Sequence, residues 1–220
     1  MVERPARCAR RRCDRSSATT PDLMTELGNA LRRINSELAA GRCRFALVGG
    51  LAVSVRSEPR MTRDADFAVA VDSDLEAERL ISSLGASGFV ASALVEQTAV
   101  DRLATVRLEH HSSPGLFTDL LFSSCGIENE IVAAAEPLDV LEGVNVPVAA
   151  VGHLIAMKLL ARDDRNRPND ADDLRALAAV ATPADWEQAT DAVALIEARG
   201  FNRGRDLGIG LRTVRTLGPY

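Results

Sequence analysis

RFALVGG at residues 44–50, LAVSVRS at 51–57 and DADFAVAV at 64–71 carry the pattern that decides the fold. The first run reads as a short apolar strand ending in two glycines, and the chain then opens directly into a short helix. That junction leaves free backbone N–H groups at a helix N-terminus, and Gly49 and Gly50 let an anion come close to them. The third run reads as a second strand with its acids at the start. Residues i and i+2 of a strand face the same side, so Asp64 and Asp66 converge. Two acids so placed repel each other, and a divalent cation is the usual compensation. Thirteen residues separate Gly50 from Asp64, enough for a short helix and a return loop into the neighbouring strand. Each feature alone has a bland counterpart, a tight turn for Gly-Gly and a solvated strand edge for D-x-D.

A third acid changes the balance. Asp119 sits inside the apolar run from Leu116 to Phe122, where a carboxylate is costly to bury unless it is paired or metal-bound. Phosphoryl-type transfer from a nucleoside triphosphate needs this combination: a cradle for phosphates, and carboxylates holding two metal ions. One ion clamps the triphosphate and the other activates the attacking oxygen.

Outward from this centre, residues 1–20 form a basic arm with almost no apolar content, and the reading is disorder. Met24 offers an alternative start, which would make the arm an artefact of the start site. From Thr20 a helix runs to about Ala40, with Leu23, Leu27, Leu31, Ile34 and Leu38 on one face. Leu75–Leu84 reads as a helix, 88–96, 102–110 and 116–122 as strands, and 126–135 as a helix. A strand pair then turns at Glu142–Gly143. From Val151 the pattern is helical, over 151–162, 169–180, 184–198 and 206–217. The expected organisation is a mixed-sheet α/β (α+β) domain over 21–150 and a helical C-terminal domain over 151–220.

Composition narrows the function classes. A net charge of −5 argues against a protein that coats nucleic acid, yet the charge is uneven. Residues 1–15 carry six arginines against Glu3 and Asp14, and residues 199–215 carry five against Asp206. Arg56, Arg60 and Arg63 cluster near the glycine–aspartate centre. No apolar run is long enough to span a membrane, and the N-terminus lacks the apolar core of a secretory signal. Cys8, Cys13, Cys43 and Cys125 form no C-x-x-C pair and read as free thiols of a cytoplasmic protein. His153 reads as a surface residue at a helix N-terminus.

GGLAVSVRSEPRMTRDADFAV followed by FTDLLFS resembles the polymerase-β-like nucleotidyltransferase superfamily. More narrowly it is similar to the AbiEii/MenT-type nucleotidyltransferase toxins of bacterial toxin–antitoxin systems. The tail segments HLIAMKLLARDDRNRPNDADDLRAL and IEARGFNRGRDL also look like that family, so the resemblance covers roughly residues 22–217. It implies that Gly49 and Gly50 cradle the triphosphate, with Arg60 and Thr62 beside it. Asp64 and Asp66 would hold two Mg²⁺ ions, and Asp119 would serve as metal ligand or general base. Lys158 would neutralise the triphosphate, with Asp170 and Asp173 orienting it, or Asp172 if the register slips by one. Many members of the superfamily have Gly-Ser where this chain has Gly49-Gly50, so a hydroxyl from Thr62 or Ser54 would have to replace the serine.

The resemblance further implies tRNA as acceptor, with nucleotides added at its 3′ end to block translation. It implies a pyrimidine donor, CTP especially, and a cognate antitoxin as partner. Aromatics are scarce at 4%, which disfavours a base-stacking platform and favours recognition of a folded RNA end by shape and charge. Two other readings stay open. One is an antibiotic-modifying nucleotidyltransferase with a small-molecule acceptor, and the other is an inert binding or antitoxin module. Thr62, two residues before Asp64, is also a candidate regulatory phosphorylation site. A phosphate there adds about −1.5 to −2 charges beside the acids, and a phosphomimetic protein with full activity would remove the idea.

Overall fold

Helix α1 (Thr20–Ala40) opens the described chain and buries Leu27, Leu31, Ile34 and Leu38 along one face. The structure is a computed structural model that describes residues 20–62, 64–97, 102–163 and 169–216. The arm before Thr20, the Leu23 side chain, Arg63, the Arg165–Pro168 loop and the last residues from Leu217 lie outside the described residues.

β1 (Arg44–Val48) and β2 (Asp64–Ala70) pair antiparallel and are joined through α2 (Gly49–Arg56). α2 starts two residues earlier than the sequence pattern suggests. Gly49, with φ at +67°, turns the chain at the strand's end in a conformation that other residues adopt only with strain. α3 (Asp74–Ala86) is capped by Ser73, whose side chain accepts from the Glu76 N–H. β3 (Phe89–Gln97), β4 (Arg102–His110) and β5 (Phe117–Leu121) follow, then α4 (Glu128–Ala133). β6 (Glu136–Leu141) and β7 (Val144–Val148) form the hairpin expected around Glu142–Gly143.

The seven strands lie in the order β3-β4-β5-β2-β1-β7-β6. β2 pairs parallel with β5 and β1 parallel with β7, while the other pairs are antiparallel. The mixed α/β architecture expected from sequence is therefore the observed one. It places β2, the strand of Asp64 and Asp66, at the centre, with β5 and its Asp119 alongside.

Four helices complete the described residues: α5 (Val151–Ala161), α6 (Asn169–Val180), α7 (Pro183–Ala198) and α8 (Leu207–Thr216). α5 meets α2, α6, α7 and α8 and is buried on nearly every side, so its apolar residues show little helical periodicity. Its second residue is Gly152, where a Cβ would overlap the Asp185 carbonyl and approach Gln188 Cβ to 2.8 Å. α7 thus lies over the first turn of α5, and this corrects the expectation for His153, which is buried rather than on the surface. α7 itself starts with a capping box between Thr182 and Asp185. A single apolar cluster from Leu31 to Val214 joins the strands to the tail helices across residue 150. Among the described residues, no helix is long and apolar enough to cross a membrane.

Candidate active site

One row of side chains crosses four strands. Val48 on β1 is in register with Asp66 on β2, Asp66 with Asp119 on β5, and Asp119 with Arg107 on β4. Register partners in neighbouring strands share a face, so Asp66, Asp119 and Arg107 stand side by side. Asp64, two residues before Asp66, lies on the same face. The alternation of β5 corrects one detail of the sequence reading. Thr118 and Leu120 turn into the core, while Asp119 faces the opposite side with a side chain 14% exposed.

This row floors a cleft of about 640 Å³. Gly49, Gly50, Arg60, Thr62, Lys158 and Asp170 also line it, so the cleft gathers residues from α2, its return loop, α5 and α6. The glycines are constrained on both sides. A Cβ on Gly49 would overlap the Asp66 carboxylate, and one on Gly50 would overlap the Arg60 guanidinium. No side chain caps the start of α2, so its first N–H groups end at the cleft.

Behind the cleft a charged cluster is almost sealed from solvent. Lys158 Nζ lies 2.8 Å from Asp170 Oδ1 and 2.7 Å from Asp173 Oδ2. Arg60 donates to the same Asp173 from Nε and Nη2, at 2.6 and 2.9 Å. Asp173, Asp170 and Lys158 are only 1, 3 and 8% exposed, and ions so deep must be paired. The i, i+3 spacing on α6 therefore delivers both acids to Lys158. Asp172 instead turns outward to Arg175, which fixes the register left open by the sequence.

Arg107 was not among the sequence-derived candidates. It donates to both oxygens of Asp119, at 2.8 and 2.6 Å, and its Nη2 lies 4.0 Å from Asp64 Oδ2. The hydrogen bond to Asp119 first, then the charges of Asp119, Asp64 and Asp66, push its pKa above the ordinary arginine value against the cost of burial. Counting outward along the β4–β5 hairpin from Ser113 puts Arg107 opposite Asp119, so hairpin symmetry was the available signal. Ser124 and Cys125 close the wall beyond β5, their N–H groups bonded to Glu128 Oε1 at 2.6 and 2.8 Å. Burial pushes the Glu128 carboxyl up.

Three hard carboxylates on one face are the donor chemistry that Mg²⁺ takes. Among the described residues, however, no three Asp, Glu, His or Cys side chains are gathered closely enough to hold an ion. Both oxygens of Asp119 are turned to Arg107, so the donor set fits a divalent cation in kind, with a guanidinium as its present counter-charge.

Other candidates are placed apart. Ser54 Oγ bonds to the Gly50 and Arg60 carbonyls, so of the two hydroxyls expected at the phosphates Thr62 is the one that borders the cleft. Arg56 turns away, donating to the carbonyls of Val148 and Ala149 and to Glu136. Of the tail arginines, Arg199 pairs with Glu130, Arg205 donates to the carbonyls of Leu160 and Arg162, and Arg215 lies over the Trp186 ring. Arg203 lines the cleft.

Sheet, cleft and carboxylate row have the form of a nucleotidyltransferase. The chain belongs to the AbiEii family: residues 30–217 match the family described as nucleotidyl transferase AbiEii toxin, type IV toxin–antitoxin system. Membership brings with it a nucleotidyltransferase of toxin type and an antitoxin as partner. No curated protein matches the chain in sequence. Similar solved structures include an antigenic nucleotidyltransferase-like protein from Paracoccidioides brasiliensis, 17% identical, with a TM-score of 0.49, covering 88% of this chain and 94% of that one. The antibiotic-resistance factor ANT(2'')-Ia is 14% identical, with a TM-score of 0.46 over 88% of this chain and 91% of that one. MenT4, a nucleotidyltransferase toxin from Mycobacterium tuberculosis, is 15% identical, with a TM-score of 0.38 over 88% and 94%.

Proposed function

We propose that the protein transfers a nucleoside monophosphate from a nucleoside triphosphate, CTP by preference, to the 3′ acceptor end of tRNA and so blocks translation. The observation that carries the chemistry is the register row of Asp66 and Asp119 beside the glycine-led start of α2. The choice of tRNA and of CTP rests on the family resemblance, and Arg203 lining the cleft is a tail arginine placed where a phosphate backbone would pass.

In this reading the N–H groups of Gly49 and Gly50 receive the triphosphate, and Lys158 and Arg60 balance its charge. Asp170 and Asp173 keep both cations in place. Asp64, Asp66 and Asp119 would hold two Mg²⁺ ions, which when bound supply charge neutralisation and activation of the attacking oxygen. The terminal hydroxyl attacks the α-phosphorus in line, its proton passes to Asp119 or to solvent, and pyrophosphate leaves. Thr62 borders the same space, so a phosphate on its hydroxyl would repel the triphosphate and fill the place its phosphates take.

The test is transfer of α-labelled nucleotide from each of the four triphosphates, with Mg²⁺, onto total bacterial tRNA. Label is expected with CTP, and Asp66→Ala should lower it by about 100-fold or more. Thr62→Glu in the same gel should remove label too. Absence of label with every triphosphate would withdraw the RNA acceptor and favour a small-molecule acceptor or an inert module.

A further inference from the structure

Arg107 supplies charge where the proposed site needs a metal ion. Its guanidinium forms a two-bond fork with Asp119 and reaches toward Asp64, so two of the three carboxylates draw compensation from it. A fork of this kind uses both carboxylate oxygens in fixed directions, which a metal ion approaching Asp119 must displace. Nothing buries the arginine irreversibly. Its side chain is 41% exposed, lies beside the cleft and stacks 5.3 Å from the Phe117 ring centre, so it has room to swing.

We propose that Arg107 is a positioning residue that withholds Asp119 from metal until a nucleotide arrives. This rests on the proposed nucleotidyltransferase reading of the same site. A triphosphate that carries its own cation offers both halves of an exchange. The carboxylates gain the ion, and the guanidinium gains phosphate oxygens in place of Asp119. A free divalent ion offers only one half and must break the Arg107–Asp119 fork uncompensated. Metal loading is thereby made conditional on nucleotide, and the cleft does not hold bare metal in the resting protein.

The experiment uses the full chain and Mn²⁺ alone, with nucleotide absent, following free Mn²⁺ by electron paramagnetic resonance. Arg107→Met, which keeps an unbranched apolar stem and loses the guanidinium and its charge, is expected to bind Mn²⁺ about tenfold more tightly than the unmodified protein. Adding Asp119→Asn to Arg107→Met is expected to cancel that gain. Arg107→Lys, which preserves a cation and guards against misfolding of the methionine variant, should fall between the two. A second readout is the thermal midpoint, which Mn²⁺ should raise more in Arg107→Met than in the unmodified protein. Mn²⁺ affinity that is unchanged or weaker in Arg107→Met, or a gain that survives Asp119→Asn, overturns the proposal. The label-transfer assay separates the two readings. Missing label together with tighter Mn²⁺ binding by Arg107→Met removes the tRNA reading and leaves the exchange standing.

Discussion

At the scale of the residue, Gly49 has the least freedom to change. It turns the chain with φ at +67°, and its missing side chain makes room for the Asp66 carboxylate. Gly49→Ala is therefore expected to cost about 1–3 kcal/mol through the strained backbone alone. The overlap with Asp66 adds to that by pushing the acid out of its row. A thermal melt should show a lower midpoint, and the labelling assay should lose signal further than the stability loss explains. A variant with the midpoint and activity of the unmodified protein would mean that α2 can start elsewhere. The sequence showed this glycine pair and the acids; it did not show that one glycine faces Asp66 and the other Arg60.

At the scale of the element, α6 is held to α5 by charge as well as by apolar burial, Leu174 and Leu177 being its buried leucines. Asp170 and Asp173 are both buried against Lys158, and Asp173 also takes the Arg60 fork. Lys158→Met removes the cation and leaves acids that cannot reach water. Breaking a buried pair in this way costs about 3–5 kcal/mol. Urea unfolding should show the loss, and Asp170→Asn added to Lys158→Met should recover part of it. No loss would mean that α6 shifts to expose its acids. The same network ties the return loop after α2 to the tail, so Lys158 is expected to affect fold and activity together. Lys158 is buried and is not part of a solvated helix face.

At the scale of the whole molecule, acid sensitivity follows from two histidines. His153 on α5 is buried, its Nδ1 has no hydrogen-bond partner among the described residues, and burial holds its pKa below the ordinary histidine value despite Glu130 nearby. His110, packed on Phe89 and beside Arg33, is likewise lowered by burial. With a pKa depressed on folding, the unfolded chain binds more protons just below pH 6.5. Stability contributed by the neutral rings is complete above that value and is lost as pH falls from about 6.5 toward the folded pKa. Denaturant midpoints should therefore drop between about pH 6.5 and 5, and His153→Gln should flatten part of the slope. A slope unchanged by that substitution would assign it to other groups.

The elements themselves were legible because their signals are local. Period-2 and period-3.6 patterns and the Glu142–Gly143 turn each act over a few residues, and the observed elements agree with them within a few positions. D-x-D on one strand face is a local fact too, so Asp64 and Asp66 were readable as a pair. Register and burial were not local. Only the pairing of β2 with β5 and of β5 with β4 brought Asp119 beside Asp66 and Arg107 beside both. Only the packing of α7 on Gly152 buried His153, and only the closing of α6 on α5 made Lys158 the shared partner of two acids. Periodicity states which way a residue faces within its own element, whereas the partner it faces depends on strand order and helix docking, which the chain decides as a whole.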